Sequence, residues 1–91
     1  MPERFSILVG KKPVRSYVVA CLALFRGGAK EIGVRARGRA ISKAVSVAEA
    51  LRRGFLTDIK IKNINIGTEQ VQPKDRPTPV NVSTIEITLT R

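Results

Sequence analysis

Ninety-one residues, 43% of them hydrophobic, with seven glycines and five prolines, suit one compact domain over 1–91 and exclude both a disordered tail and a multidomain enzyme. Seventeen Lys and Arg against seven Asp and Glu give a formal charge of +10, more than solubility requires and of the sign that attracts a polyanion such as DNA or RNA. With no His and a single Cys there is no ordinary zinc site and no internal disulfide, and no apolar run is long enough to span a bilayer.

The opening Met1-Pro2-Glu3-Arg4-Phe5 lacks the apolar stretch of a signal peptide, so the protein is expected to stay in the cytoplasm. Phe5 to Val9 is a β-branched and aromatic run stopped by Gly10, which reads as a strand. Pro13 has the fixed φ suited to a first helical turn. Val14, Tyr17, Val18, Cys21, Leu22 and Phe25 then recur at helical spacing as far as Gly27 and Gly28. Val19, Ala20, Ala23 and Leu24 add apolar surface beside that stripe, so this helix is expected to be wetted only on a narrow side. Glu31 to Arg37 alternates, with Ile32, Val34 and Ala36 on one face and Gly33, Arg35 and Arg37 on the other, as a half-buried strand does. A second helix is predicted over Arg39 to Arg53, closed by Gly54, with Ile41, Ala44, Val45, Ala48 and Leu51 inward. Val47 and Ala50 lie off that stripe, where a symmetric dimer contact is one candidate.

From Leu56 onward the isoleucines change parity, Ile59 and Ile61 being odd-numbered and Ile64 and Ile66 even. Val80 and Val82 against Ile85, Ile87 and Leu89 repeat the change in the last strand. Either a bulge sits there or both faces are buried at different heights. A long hairpin follows, its near half packed on the helices and its far half meeting a partner. Its tip, residues 72–80, carries Pro73, Pro77 and Pro79, which forbid ladder pairing, with Lys74 and Arg76 protruding. The element order β-α-β-α-β-β makes the fold α/β with one mixed sheet. At this size folding hides only about 60–65% of the chain's surface, so a partner subunit would help stability.

Helix starts carry partial positive charge and normally attract acids, yet cations crowd both starts here. Lys11 and Lys12 precede Pro13 with Arg15 behind it; Arg37 and Arg39 flank Gly38 with Lys43 shortly after. Free backbone N–H groups with side-chain cations form a phosphate cradle, which Gly10 and Gly38 would let an anion approach closely. Arg35 and Arg37 share a strand face, and Arg39 is expected to continue the line. The first 43 residues hold ten cations and only Glu3 and Glu31 as acids, so most of these arginines are expected to lack an internal partner. Lys74 and Arg76 read either as a minor-groove arm or as an ordinary polar hairpin tip.

Catalysis is not indicated: Cys21 lies on an apolar stripe, the carboxylates are scattered, and the glycines match neither nucleotide-binding spacing. Nor do the strands offer exposed aromatics for base stacking. Phe5, Tyr17 and Phe25 fall on core positions, while Phe55 is either core or a knob at a contact between dimers.

Over about Phe5 to Arg91 the chain resembles the Alba family of archaeal chromatin proteins. The resemblance rests on Gly10-Lys11-Lys12-Pro13-Val14, on Arg35-Ala36-Arg37-Gly38-Arg39-Ala40-Ile41-Ser42-Lys43-Ala44-Val45, and on Val82-Ser83-Thr84-Ile85-Glu86-Ile87. It implies a fold like the C-terminal domain of a bacterial translation initiation factor. It also implies a homodimer that binds double-stranded DNA with little sequence preference and often RNA too; the sequence itself leaves open a heterodimer with a related subunit. By the same resemblance Lys11, Lys12, Arg37 and Arg39 contact the backbone and the arm at Lys74 and Arg76 probes a minor groove. Lys11 matches a position regulated by acetylation, hence an acetyltransferase and a deacetylase as partners, and Phe55 one that joins neighbouring dimers, although Gly54 and the proline-rich arm depart from the family pattern. The rival readings are an RNA-associated protein, such as a subunit of a ribonuclease P-like particle, and a purely structural interaction module.

Overall fold

β-Branched and apolar stretches alternate with the two helical stripes along this chain, and a computed structural model shows the layers they build over the described residues, 4–91. The elements are β1 (Arg4–Leu8), α1 (Val14–Arg26), β2 (Glu31–Arg37), a 3-10 turn (Gly38–Ala40), α2 (Ile41–Ala50), a π turn (Leu51–Phe55), β3 (Lys60–Val71) and β4 (Val80–Thr90). Glu3, one of the two early acids, lies outside the described residues.

The strands form one sheet in the order β1-β2-β4-β3, with β1 parallel to β2 and the other pairs antiparallel. A parallel pair needs a crossover, which α1 supplies. Cross-strand partners share a face, so Ile32 with Leu89, Val34 with Ile87 and Ala36 with Ile85 make one apolar surface. Helix α1 packs against β1, and α2 against β2 and β4. Their buried residues Val18, Cys21, Phe25, Ala44, Val47, Ala48 and Leu51 close the core. Among the described residues, no helix is long and apolar enough to cross a membrane.

Several expectations are corrected. Val19 and Ala23 are exposed and Ala20 and Leu24 half-buried, because a helix on a two-layer fold has only the sheet beneath it and α2 beside it. On α2 the buried stripe is Ala44, Val47, Ala48 and Leu51, while Val45 is exposed, so the two valines exchange the roles read from spacing. Both stripes have the same period, and periodicity cannot choose between overlapping ones. Gly54 does not close the helix; the winding loosens so that the Leu56 N–H donates to the Leu51 carbonyl at 2.8 Å, and the helical path runs on to Phe55.

The parity change in β3 is a bulge, located between Ile61 and Asn63. It puts Ile61, Ile64 and Ile66 opposite Leu89, Ile87 and Ile85, all on the helix-side face. No such shift interrupts β4 from Val80 to Thr88, so its odd and even apolar residues belong to two different faces.

Gly38 has φ +58°, in the left-handed region, while a Cβ there would meet only ordinary contact, 3.5 Å from Val82 Cγ1. The backbone conformation, not space, calls for glycine. Gly38→Ala is expected to destabilise the fold by roughly 1–2 kcal/mol, and Gly38→Asn by less, since asparagine tolerates this region. Denaturant midpoints check this; an equal loss in both variants would point to crowding instead.

Candidate nucleic-acid interface

Because β1 and β2 run parallel, both leave the sheet at the same end, and each leads directly into a helix. The Val9 N–H extends the pairing by donating to the Arg35 carbonyl at 2.8 Å. Beyond it the loop Gly10–Lys12 meets the first turn of α2, where Lys43 Nζ donates to the carbonyls of Gly10, at 2.9 Å, and Lys12, at 2.8 Å. The two helix starts therefore form one corner. The hairpin rises past the same end: Arg37, the last residue of β2, pairs with Thr84, yet β3 and β4 continue to the pair Val71 and Val80. Four more pairs at about 3.3 Å per residue carry the arm roughly 13 Å beyond the sheet. Lys74 and Arg76 are exposed in its turn, which Gln72 closes by donating to the Arg76 carbonyl at 2.7 Å.

Lys11, Lys12, Arg15 and Arg39 are exposed, and among the described residues their side chains pair with no carboxylate. Neither helix has an acid in its first turn or a side-chain cap. These cations repel one another and the helix dipole, a cost that an external anion would relieve.

Arg35 and Arg37 lie elsewhere, on the sheet face that carries no helix. Arg37 pairs with Glu69 at 3.0 Å, and Arg35 lies 3.8 Å from Glu86, which also meets Arg4 at 3.5 Å. The expectation that these arginines lack internal partners is thus corrected: strand pairing brings in carboxylates from far along the chain. Exposed pairs of this kind contribute only about 0–1 kcal/mol, so a phosphate can compete for them. They flank an open hollow of about 500 Å³ lined also by Ser6, Asn65 and Thr84. Arg39 does not continue their line, because the left-handed Gly38 and the 3-10 turn break the strand's alternation.

Two backbone N–H groups ahead of the first helix start are not available to the cradle expected there. The N–H groups of Gly10 and Lys12 donate to the Tyr17 hydroxyl, at 2.8 and 3.1 Å, and are spent inside the protein. Burial alone would raise the Tyr17 phenol, but those N–H groups and the charges of Lys43 and Lys12 hold it below its ordinary value. The role of Tyr17 was missed in its apolar spacing; the one signal was a hydroxyl on a core stripe, which needs a partner when buried. The Cys21 thiol is buried and pushed up to about 11 by desolvation, so it stays protonated and unreactive. Phe55, 57% exposed, sits at the far end of the helical path, about 18 Å along its axis from Lys43.

A family model described as Alba matches residues 6–68. The "DNA/RNA-binding protein Alba" of Methanocella arvoryzae is 50% identical over 91 residues, covering 100% of this chain and 94% of that protein. The "DNA/RNA-binding protein Alba 1" of Archaeoglobus fulgidus is 50% identical over 86 residues, 94% of each chain. Among solved structures, Alba from Thermoplasma volcanium superposes with a TM-score of 0.90 at 46% identity, covering 94% of this chain and 99% of that one.

Proposed function

The chain belongs to the Alba family, and from that premise we propose that it is an architectural protein that coats and compacts double-stranded DNA through its sugar-phosphate backbone, with little sequence preference. The observation that carries this reading is the corner where Lys11, Lys12 and Arg39 stand exposed and unpaired among the described residues, with the basic arm rising past the same end. Affinity from phosphate contacts is driven by counterion release, so the logarithm of the binding constant falls linearly with the logarithm of salt concentration, by about 0.9 per contact. Titration of two unrelated duplexes between 50 and 200 mM salt is expected to give one steep slope for both. A strong preference for either sequence, or a flat salt response, overturns the reading.

A second reading, RNA binding, is favoured by the relatives, whose names carry both nucleic acids. Competition between a duplex and a structured RNA separates the two. We assign the protein no reaction.

The dimer belongs to this proposal. Helix α2 packs on β4 but leaves the neighbouring strand β3 with Ile64 53% and Ile66 82% exposed on its helix-side face. A second copy, or a related subunit, would cover that apolar edge. Phe55 is proposed as the contact between neighbouring dimers along DNA. Acetylation of Lys11, set by an acetyltransferase and a deacetylase, would remove one charge from the corner and loosen the complex. The protein would then reside in the cytoplasm on the chromosome.

A further inference from the structure

The loop Gly10–Lys12 belongs to neither a ladder nor a helix, so its backbone polar groups need other partners. Two side chains provide them. Tyr17, in the first turns of α1, accepts from the N–H groups of Gly10 and Lys12; Lys43, in the first turn of α2, donates to the carbonyls of the same two residues. All four backbone polar groups of Gly10 and Lys12 are thus occupied, and Lys11 stands between two fixed residues.

We infer that Tyr17 and Lys43 are positioning residues that clamp this loop from both sides and present Lys11 and Lys12 to a phosphate, and that the Lys43 ammonium serves the loop rather than the nucleic acid. The inference deepens the reading of the corner as a backbone-binding site and rests on it. Its physical content is preorganisation: a loop already fixed need not be ordered at the moment of binding. Removing the clamp leaves the lysines and their charge in place, so they still meet phosphates, but only after the loop is ordered. A lost clamp therefore lowers affinity equally at every salt concentration, whereas a lost phosphate contact reduces the salt slope.

The test compares Tyr17→Phe and Lys43→Met with Lys11→Ala in two measurements. The first is salt titration on one duplex; the second is amide hydrogen exchange of the free protein, with the core amides of Val34 and Ile87 as internal reference. Both clamp variants are expected to lose roughly tenfold in affinity at unchanged slope. Their Gly10 and Lys12 amides should exchange faster while the core amides do not. Lys11→Ala should lower the slope by about 0.9. A Lys43→Met variant that loses about 0.9 of slope with loop exchange unchanged overturns the inference, making Lys43 an ordinary phosphate ligand. So does unchanged loop exchange in both clamp variants. If Tyr17→Phe speeds all amides alike, it has loosened the whole fold, and Lys43→Met, whose side chain lies nearer the surface, decides. If the unsubstituted protein shows no salt-dependent binding, the nucleic-acid reading fails, and loop exchange still decides the clamp.

Discussion

Replacing Lys11 and Lys12 together by alanine should weaken binding to every duplex by roughly sixty-fold at 0.1 M salt and lower the salt slope by about 1.8. Each phosphate contact contributes about 0.9 to the slope, and two lost contacts compound to 10 raised to about 1.8 at that salt. The size of the effect follows from geometry: both side chains leave a loop whose backbone is tied down, and neither has an acid to return to among the described residues. The fold should not suffer. Two cations fewer beside the start of α1 slightly favours the helix dipole, so thermal midpoints should stay level or rise. Arg26→Ala is the control, because Arg26 is also exposed but ends α1 rather than beginning it. Were Arg26→Ala to cost as much slope as Lys11→Ala, the protein would bind by diffuse charge and the corner would have no special part.

Much of this corner was legible because it is written in local terms. The exits of β1 and β2 follow from alternation ended by Gly10 and Gly38, and the pair Lys11-Lys12 is contiguous. The parity change in β3 was legible for the same reason, but the pattern left a bulge and two buried faces as alternatives, and the identical change in β4 is no bulge. What stayed hidden depends on which strands become neighbours. Glu86 meets Arg35 only because β4 pairs with β2, and Glu69 reaches Arg37 only because β3 follows on the far side of β4; nothing near the arginines announces that. Lys43 shows the same limit: by spacing it is one more cation at a helix start, and only the meeting of α2 with the Gly10–Lys12 loop turns it into a brace. The exchange of Val45 for Val47 is a subtler case: the two candidate stripes share Ala44, Ala48 and Leu51, so only the placement of the sheet beneath the helix decides which valine turns inward.

In the dimer proposed above, the double substitution Ile64→Glu and Ile66→Glu should separate the two copies, raising the dimer dissociation constant roughly a thousandfold or more. Strand β3 is twelve residues long and lies at the edge of the sheet, and its helix-side face carries Ile61, Ile64 and Ile66 in a row once the bulge has aligned them. A long apolar edge strand is a template for pairing, and soluble proteins leave one only where something covers it. In a two-fold symmetric interface each substitution appears twice, so two changes remove four apolar side chains, each worth about 2 kcal/mol when buried, and bring four carboxylates together. Sedimentation at micromolar concentration measures the result directly, and the thermal midpoint should lose its dependence on protein concentration. Because both side chains are largely exposed in the single chain, the monomer itself should keep its secondary structure. Duplex binding then gives the functional consequence: with one corner and one arm in place of two, the salt slope should fall to about half. A variant that stays dimeric would move the interface to another surface, and Val45, exposed on the helix that packs on β4, would be the next residue to replace.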